Sequence, residues 1–548
     1  MSTGAELFVE TALSLDIDTV FTLVGDHLNE VLAVAAARGM RIVDMRHESG
    51  VTHAADAWAR IHRKPALSLV TGGPGHTNSL TGIATANLAG SPLIAVSGSR
   101  ASALADREGF QDIDQVGMAK PATKWSAAPP AASQIPFYLR RAFQIADAGR
   151  KGAVHLTIPV DLFLAQADPG PTRVPTVAAD SKPDVAEAIA LLRSAERPLI
   201  IAGSGVWWGH AEDALRQFVE RTSLPVYTIT LGRGTIADDH PLCMGYADPA
   251  LNYAVHTAFR EADVVLVVGK RIDYRLAFGG ARLFSESARF LQIDIHPTEL
   301  GLNRRLELGI CADARPALKS LKAGAGSEPW APLPWLHRVR ELRQSWEAAL
   351  SSYSQMHPAA FFHVLRNLLP SDVLYSWDGG DFAHWGRAIL PARQAGGWLR
   401  LGPLGTIGSS LPNALALQLA HPGRRVVAIT GDGSLGFYLA EMDTAVRHRL
   451  PIIVIVGNDA GWGLERELQS FSTGSASTVA CELRSTQYDQ IMRGFGGAGE
   501  TIEHLEQVPA AIGRALASGV PYCINVLIRG VRSPFTDWQI AGKAKTVA

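Results

Sequence analysis

Residues 431–463 read GDGSLGFYLAEMDTAVRHRLPIIVIVGNDAGWG, and the reading of this stretch decides the fold. The apolar run Val426 to Ile429 that leads into it has the length and character of a buried strand. Gly431-Asp432-Gly433-Ser434 turns the chain sharply, and Leu439, Met442, Ala445 and Val446 follow in a helical pattern. A second apolar run, Pro451 to Val456, ends at Gly457-Asn458-Asp459-Ala460-Gly461. Strand, helix and strand form one βαβ unit, the building block of a parallel sheet. Ligands of such sheets bind beyond the carboxyl ends of the strands, and both ends here carry oxygen donors. One offers the Asp432 carboxylate. The other offers the Asn458 amide, the Asp459 carboxylate and the turn carbonyls near Gly461. Hard oxygen donors suit Mg²⁺ or Ca²⁺ and are poor for zinc. Small residues at 431, 433 and 461 let backbone approach a diphosphate that bridges such a metal to a helix N-terminus. Singly, each piece is an ordinary turn or strand cap; their combination in one βαβ unit points to a site.

At 548 residues the chain holds about three domains of ordinary size. With 47% hydrophobic and 19% charged residues it can bury large cores and is not disordered. Lys and Arg number 51 against 52 Asp and Glu, so no basic surplus favours nucleic acid or an anionic membrane. Cys243, Cys311, Cys481 and Cys523 lie far apart and form no metal pair, which fits buried thiols in a reducing cytoplasm. The start, MSTGAELFVETAL, lacks the charged and apolar blocks of a signal peptide, and no apolar run approaches a membrane span. The expectation is a soluble cytoplasmic enzyme acting on a small molecule.

Outward from the opening stretch, the same strand-loop-helix grammar recurs. Residues 1–165 form a first doubly wound unit: Val20 to Val24 runs into Gly25-Asp26-His27, Arg41 to Asp44 into Arg46-His47-Glu48, Ala66 to Val70 into Thr71-Gly72-Gly73-Pro74-Gly75-His76, and Leu93 to Val96 into Ser97-Gly98-Ser99. Residues 166–185 are Pro-rich and polar and read as a linker. A second α/β unit covers 186–325, with Pro198 to Ala202 entering Gly203-Ser204-Gly205; a lone Gly-x-Gly is weak evidence for a nucleotide. Another linker, around 323–334, leads to a third unit at 355–530. The tail, 531–548, shows no clear period and reads as a mobile segment or lid.

The GDG and ND elements, with RHESGVTHAADAWAR at 46–60, resemble the thiamine diphosphate (ThDP) enzymes, and within them the acetolactate synthases, benzaldehyde lyases and 2-hydroxyacyl-CoA lyases. The resemblance covers nearly the whole chain. VTGGPGHTNSLTGIATAN (70–87), GFQDIDQVGMAKPATKW (109–125), RIDYRLAFG (271–279), QIDIHPTELG (292–301) and LGPLGTIGSSLPNALALQ (401–418) all look like segments of that group. It implies three α/β domains with doubly wound parallel sheets: a pyrimidine domain, a central Rossmann-like domain and a diphosphate domain. It makes Glu48 the acid that protonates the aminopyrimidine ring of the cofactor, a role that needs a carboxyl group in a dry pocket. Gly405 backbone contacts the aminopyrimidine, Ile407 holds the cofactor bent, and Asp378-Gly379 meets the diphosphate with Gly431, Asp432, Gly433 and Ser434. Asp432, Asp459 and the Gly461 carbonyl bind Mg²⁺, and Trp462 lines the far wall. The family has a second Asn where this chain has Asp459, which adds a negative charge beside the diphosphate.

On the substrate side the resemblance places His27 and Gln111, and His76 is a further candidate, in GPGHTN, where relatives often have Ala or Phe. A histidine there can take or relay the proton of a substrate hydroxyl, whereas Gln111 can only orient or donate a hydrogen bond. The expected activity is ThDP- and Mg²⁺-dependent making or breaking of a C–C bond beside a carbonyl, with a 2-hydroxyacyl-CoA or acyloin substrate. An acetolactate synthase-like carboligase of 2-oxo acids is the alternative, and a cyclic 1,2-diketone hydrolase a minor one. FAD in the central domain stays open, because the family's Met-His-Gly segment is replaced around Tyr246-Ala247-Asp248. Partners beyond the small-molecule substrate are further copies of the chain, a homodimer or homotetramer with active sites between subunits.

Overall fold

The computed structural model describes residues 1–105, 107–170, 183–474 and 478–547, with side chains through 543. Three six-stranded sheets form its frame, and every pairing within them is parallel. Strands such as Val264–Val268 (VVLVV) are β-branched and wholly buried, as strands covered by helices on both faces must be.

The first sheet runs Arg41–Asp44, Thr19–Leu23, Ala66–Val70, Leu93–Ser99, Val154–Pro159, Trp125–Ala127. The third runs Trp398–Arg400, Leu374–Trp377, Val426–Gly431, Ile453–Asn458, Tyr522–Leu527, Ala498–Ile502. Numbered in chain order within its own unit, each reads 2-1-3-4-6-5. The central sheet runs Cys243–Tyr246, Val226–Thr228, Pro198–Ala202, Val264–Val268, Arg289–Asp294, Leu308–Cys311, or 3-2-1-4-5-6, the dinucleotide-binding order.

The outer units are joined by two helices. Glu48–His62 packs on Ser410–Ala420, and their small and apolar side chains share one core. Arg60 fastens that seam: it pairs with Asp56 on its own helix while its Nη1 donates to the Arg400 carbonyl at 2.8 Å. Both partners are buried, so breaking the pair would strand a charge out of water.

Two segments differ from the sequence reading. The linker around 323–334 is packed down by buried Trp330, and an 18-residue helix, Leu333–Leu350, follows it. Its Trp335, Leu336 and Val339 belong to the central core, and Trp335 Nε1 donates to the Pro198 carbonyl at 2.8 Å. The tail forms the helix Pro534–Val547 and is anchored. Ser533 and Thr536 donate to Asp381, Phe535 packs on His384, and Trp538 lies under the Arg282 guanidinium at 3.7 Å. These anchors are single polar and aromatic residues, so no apolar period marks the helix. Residues 171–182 of the first linker lie outside the described residues. Among the described residues no helix is long and apolar enough to cross a membrane.

Candidate active site

Glu48 opens the helix that follows strand Arg41–Asp44. It is buried, and Asn78 Nδ2 donates to its Oε2 at 3.0 Å. The turn before it is pinned from the third unit. The Arg46 N–H donates to Glu441 Oε1 at 3.1 Å, and Ser49 Oγ lies 2.9 Å from the Tyr438 hydroxyl. Burial pushes the Glu441 carboxyl up to about 7.

His27 sits at the end of the neighbouring strand, Thr19–Leu23, and is buried. Its Nδ1 receives the Gly72 N–H at 3.2 Å and the Thr71 hydroxyl at 2.9 Å. An Nδ1 that accepts a backbone N–H carries a lone pair, so the proton of the neutral ring is on Nε2. Burial lowers the pKa of this ring against the opposing pull of Asp26, which keeps it neutral. The sequence reading gave His27 the role of a base; the geometry presents it as a hydrogen-bond donor. A Cβ at Gly98 would stand 2.4 Å from the His27 Cβ, so the strand Leu93–Ser99, two places along the sheet, must carry glycine there.

His76 is the third residue of helix Pro74–Ala89 and is fully buried. Its Nδ1 lies 3.0 Å from Ser97 Oγ, its Nε2 has no partner among the described residues, and burial pushes its pKa down to about 4. Gln111 is half-buried in a left-handed conformation (φ 59°), packed where a Cβ on Gly73 would fall 2.7 Å away. A residue the sequence reading missed holds this loop. Buried Gln115 accepts the Gly73 N–H at 2.9 Å and donates to the Gly98 carbonyl at 3.1 Å. Its only signal was a second glutamine in GFQDIDQ.

In the third unit, Gly431 caps the short helical turn Asp432–Leu435 at the end of Val426–Gly431. Asp432 is buried and accepts the Gly461 N–H at 3.0 Å, which ties the two strand ends together. Burial, and next the charge of Asp459, push the Asp432 carboxyl up to about 7. The Trp462 ring lies flat against Gly433, where a Cβ would come within 2.8 Å of it. Ser434 is buried at the base of the turn. Gly379 faces Ile407, 3.1 Å from where its Cβ would be, and Gly405 takes φ +79° with open space beside it.

Two expected ligands are otherwise engaged. Asn458 donates to the Thr486 carbonyl (3.0 Å) and Asn525 Oδ1 (3.1 Å) and accepts the Ala460 N–H (3.2 Å), so its amide ties the strand end. Asp378 is fully buried and receives Gly379 N–H, Gly408 N–H, Ser410 Oγ and Thr430 Oγ1. Its carboxylate knits the loops beneath the site, leaving the Gly379 backbone as the surface it presents. The sequence reading also missed Arg466, whose Nη1 lies 3.5 Å from Asp459 Oδ2. It balances the charge that replaces the family's Asn. The signal was the Arg in GWGLER, one helix turn beyond the loop.

The donor set fits the group the resemblance implies. A buried carboxylate, Asp432, whose proton affinity is raised by burial and by the neighbouring charge of Asp459, is what a hard divalent cation relieves. Among the described residues no three His, Cys, Asp or Glu side chains gather into a metal cluster.

A parallel three-unit α/β chain with a buried acid at one strand end and carboxylates at two neighbouring strand ends of another sheet has the organisation of a thiamine enzyme. Residues 2–118 match the thiamine pyrophosphate enzyme N-terminal TPP binding domain, 185–321 the central domain and 378–526 the C-terminal TPP binding domain. The chain belongs to the thiamine pyrophosphate enzymes. It is 34% identical over 520 residues to a probable acetolactate synthase of Mycobacterium bovis, covering 93% of each chain. It is 31% identical over 554 residues to 2-hydroxyacyl-CoA lyase 1 of Mus musculus (96% and 94%) and 29% over 576 residues to 2-hydroxyacyl-CoA lyase 2 of Homo sapiens (95% and 89%).

Proposed function

We propose that this ThDP-dependent enzyme cleaves or forms the C–C bond beside a carbonyl in 2-hydroxyacyl or acyloin substrates, with Mg²⁺ holding the diphosphate. The observation that carries this reading is the pair of neutral imidazoles, His27 and His76, on adjoining strand ends near Glu48. Buried neutral donors and acceptors handle a hydroxyl and the oxygen it becomes without adding charge to the pocket. Bound there, ThDP supplies the electron sink. Glu48 holds a proton at the aminopyrimidine, Gly405 and Ile407 orient the ring, Gly379 and residues 431–434 receive the diphosphate, and Trp462 closes the wall. Asp432, Asp459 and the Gly461 carbonyl hold Mg²⁺, and Gln111 orients the substrate. The enzyme works as a homodimer or homotetramer with its sites between subunits.

An acetolactate synthase-like carboligation of pyruvate is the second reading, supported by the 34% identity to the Mycobacterium bovis protein. The central unit bears on this choice. A cavity of about 240 Å³ opens at the carboxyl ends of its strands, lined by Ser204, Gly205, Lys270, Arg271 and Arg275. Lys270 and Arg275 are paired with Asp273 and Asp248, so Arg271 is a cation the cavity offers a phosphate-bearing ligand, FAD or the nucleotide end of a CoA thioester.

The test is a side-by-side assay of the purified protein, with ThDP and Mg²⁺, on benzoin, a 2-hydroxyacyl-CoA and pyruvate. Aldehyde release from either of the first two is the expected result. Turnover of pyruvate alone, by a protein with flavin absorbance, would replace this reading with the synthase.

A further inference from the structure

Behind His76 runs a line of buried hydrogen bonds that the site chemistry does not use. Ser97 Oγ lies between two imidazoles, 3.0 Å from His76 Nδ1 and 3.1 Å from His155 Nε2. The other nitrogen of His155, Nδ1, lies 3.0 Å from Ser126 Oγ, and Ser126 donates its hydroxyl to the Val116 carbonyl at 3.0 Å. All four side chains are buried.

The proton positions along this line follow from its far end. A carbonyl only accepts, so the Ser126 hydrogen points at Val116 and Ser126 Oγ must receive a hydrogen from His155 Nδ1. Burial, and then His76, hold His155 well below its ordinary pKa, so the ring is neutral and its Nε2 is a lone pair. Ser97 therefore donates to His155 Nε2 and receives from His76 Nδ1–H. The neutral His76 ring is left with a bare Nε2, the atom that has no partner among the described residues. His27, fixed by Gly72 and Thr71, has the opposite tautomer. The two rings share one strand edge: Ser97 holds His76, and Gly98 abuts His27. Gly75, next to His76, stands where an added Cβ would be 3.7 Å from Glu48 Oε1.

We infer that the Val116 carbonyl, acting through Ser126, His155 and Ser97, sets His76 as the acceptor for the hydroxyl of a 2-hydroxyacyl ligand, opposite His27 as donor. This rests on the C–C reading above for the identity of the ligand. His155, Ser97 and Ser126 are then positioning residues. A buried acceptor left unpaired also selects against analogues that lack the hydroxyl.

The test reads the tautomer directly in cofactor-free protein. With ¹⁵N-labelled histidine, long-range proton–nitrogen spectra distinguish protonated from lone-pair nitrogens, and His76→Gln assigns the His76 signals. The expected wild-type pattern is a protonated Nδ1 and a lone-pair Nε2. Ser97→Ala should release His76 to the Nε2–H form, and Ser97→Thr should restore the wild-type pattern. In the loaded enzyme with benzoin, Ser97→Ala should lower kcat about tenfold with KM within about twofold. A wild-type His76 protonated at Nε2, or an Nδ1–H pattern that survives Ser97→Ala, overturns the chain of control. The wild-type spectrum stands even where a variant fails to fold. A correct tautomer in a protein that turns over none of the hydroxyl substrates overturns the ligand and the functional reading together.

Discussion

The first and third units are built on one plan and do different work. Both sheets run 2-1-3-4-6-5, all parallel, and both present functional loops at the carboxyl ends of their strands. In the first unit those loops carry His27, His76, Gln111 and the buried acid Glu48, and these two imidazoles are neutral. In the third they carry the paired carboxylates Asp432 and Asp459 with a run of glycines. One surface is suited to an uncharged ring and an organic substrate, the other to a cation and a diphosphate. Strand order is set by buried apolar runs, whereas chemistry is set by a few residues past each strand end, so the same frame serves opposite electrostatic tasks.

This division predicts two kinds of damage. Asp432→Ala removes the proposed metal ligand on the first strand end and the acceptor of the Gly461 N–H. It should abolish Mg²⁺-dependent ThDP retention, read by calorimetry or by cofactor content after desalting. Glu48→Gln should leave retention close to wild type while cutting turnover roughly 10²–10⁴-fold, the span of a lost acid–base group. If Glu48→Gln loses the cofactor while Asp432→Ala keeps it, the assignment of tasks to the two units is inverted.

Legibility followed the same division. Apolar runs were readable as strands: Arg41–Asp44, Ala66–Val70 and Pro198–Ala202 lie where their apolar runs place them. Short strands such as Trp125–Ala127 and Trp398–Arg400 were invisible, because three residues give no period to read. Motif residues were legible as positions but not as roles. Asn458 and Asp378 are polar residues at strand ends, where a sequence cannot tell an oxygen facing a ligand from one consumed by four loop donors. Gln115 and Arg466 were missed because their partners, Gly73, Gly98 and Asp459, are set by tertiary structure alone. The tautomers of His27 and His76 depend on neighbours up to dozens of residues away.

The two units should also respond oppositely to pH. His53, on the Glu48 helix, is buried, and desolvation, with Arg60 and then His47, lowers its pKa to about 3. The unfolded chain takes up that proton below about 6.5 and the native one does not. His53 thus costs stability as pH falls from 6.5 toward 3. Glu441 is the reverse case: burial raises it to about 7, so the native state holds a proton the unfolded chain has lost above about 4.5, and stability falls as pH rises through that window. Each slope is at most about 1.4 kcal/mol per pH unit. His53→Gln should flatten the acid side of a urea-midpoint profile, and Glu441→Gln the stretch from 4.5 to 7. An unchanged profile in both variants would remove these two groups from the pH response.

The smallest effect tests the one place where this chain departs from its family's pattern. Asp459 puts a carboxylate where the resemblance expects an amide, and a second negative charge beside Asp432 should repel a diphosphate. Arg466 answers that charge from 3.5 Å, on the helix Gly463–Thr473 that starts just past the loop. Asp459→Asn keeps an oxygen ligand and removes one charge. It also frees Arg466, which keeps its contact with Glu482 at 3.1 Å. Gain and loss nearly cancel, so ThDP affinity at saturating Mg²⁺ should change by less than about threefold. Arg466→Ala in the wild-type background leaves Asp459 unbalanced and should weaken ThDP by about tenfold, within the range for a partly buried ion pair. In the Asp459→Asn background the same Arg466→Ala change should cost little. A double-mutant cycle with no coupling between 459 and 466 would show that the extra charge is tolerated by some means other than this arginine.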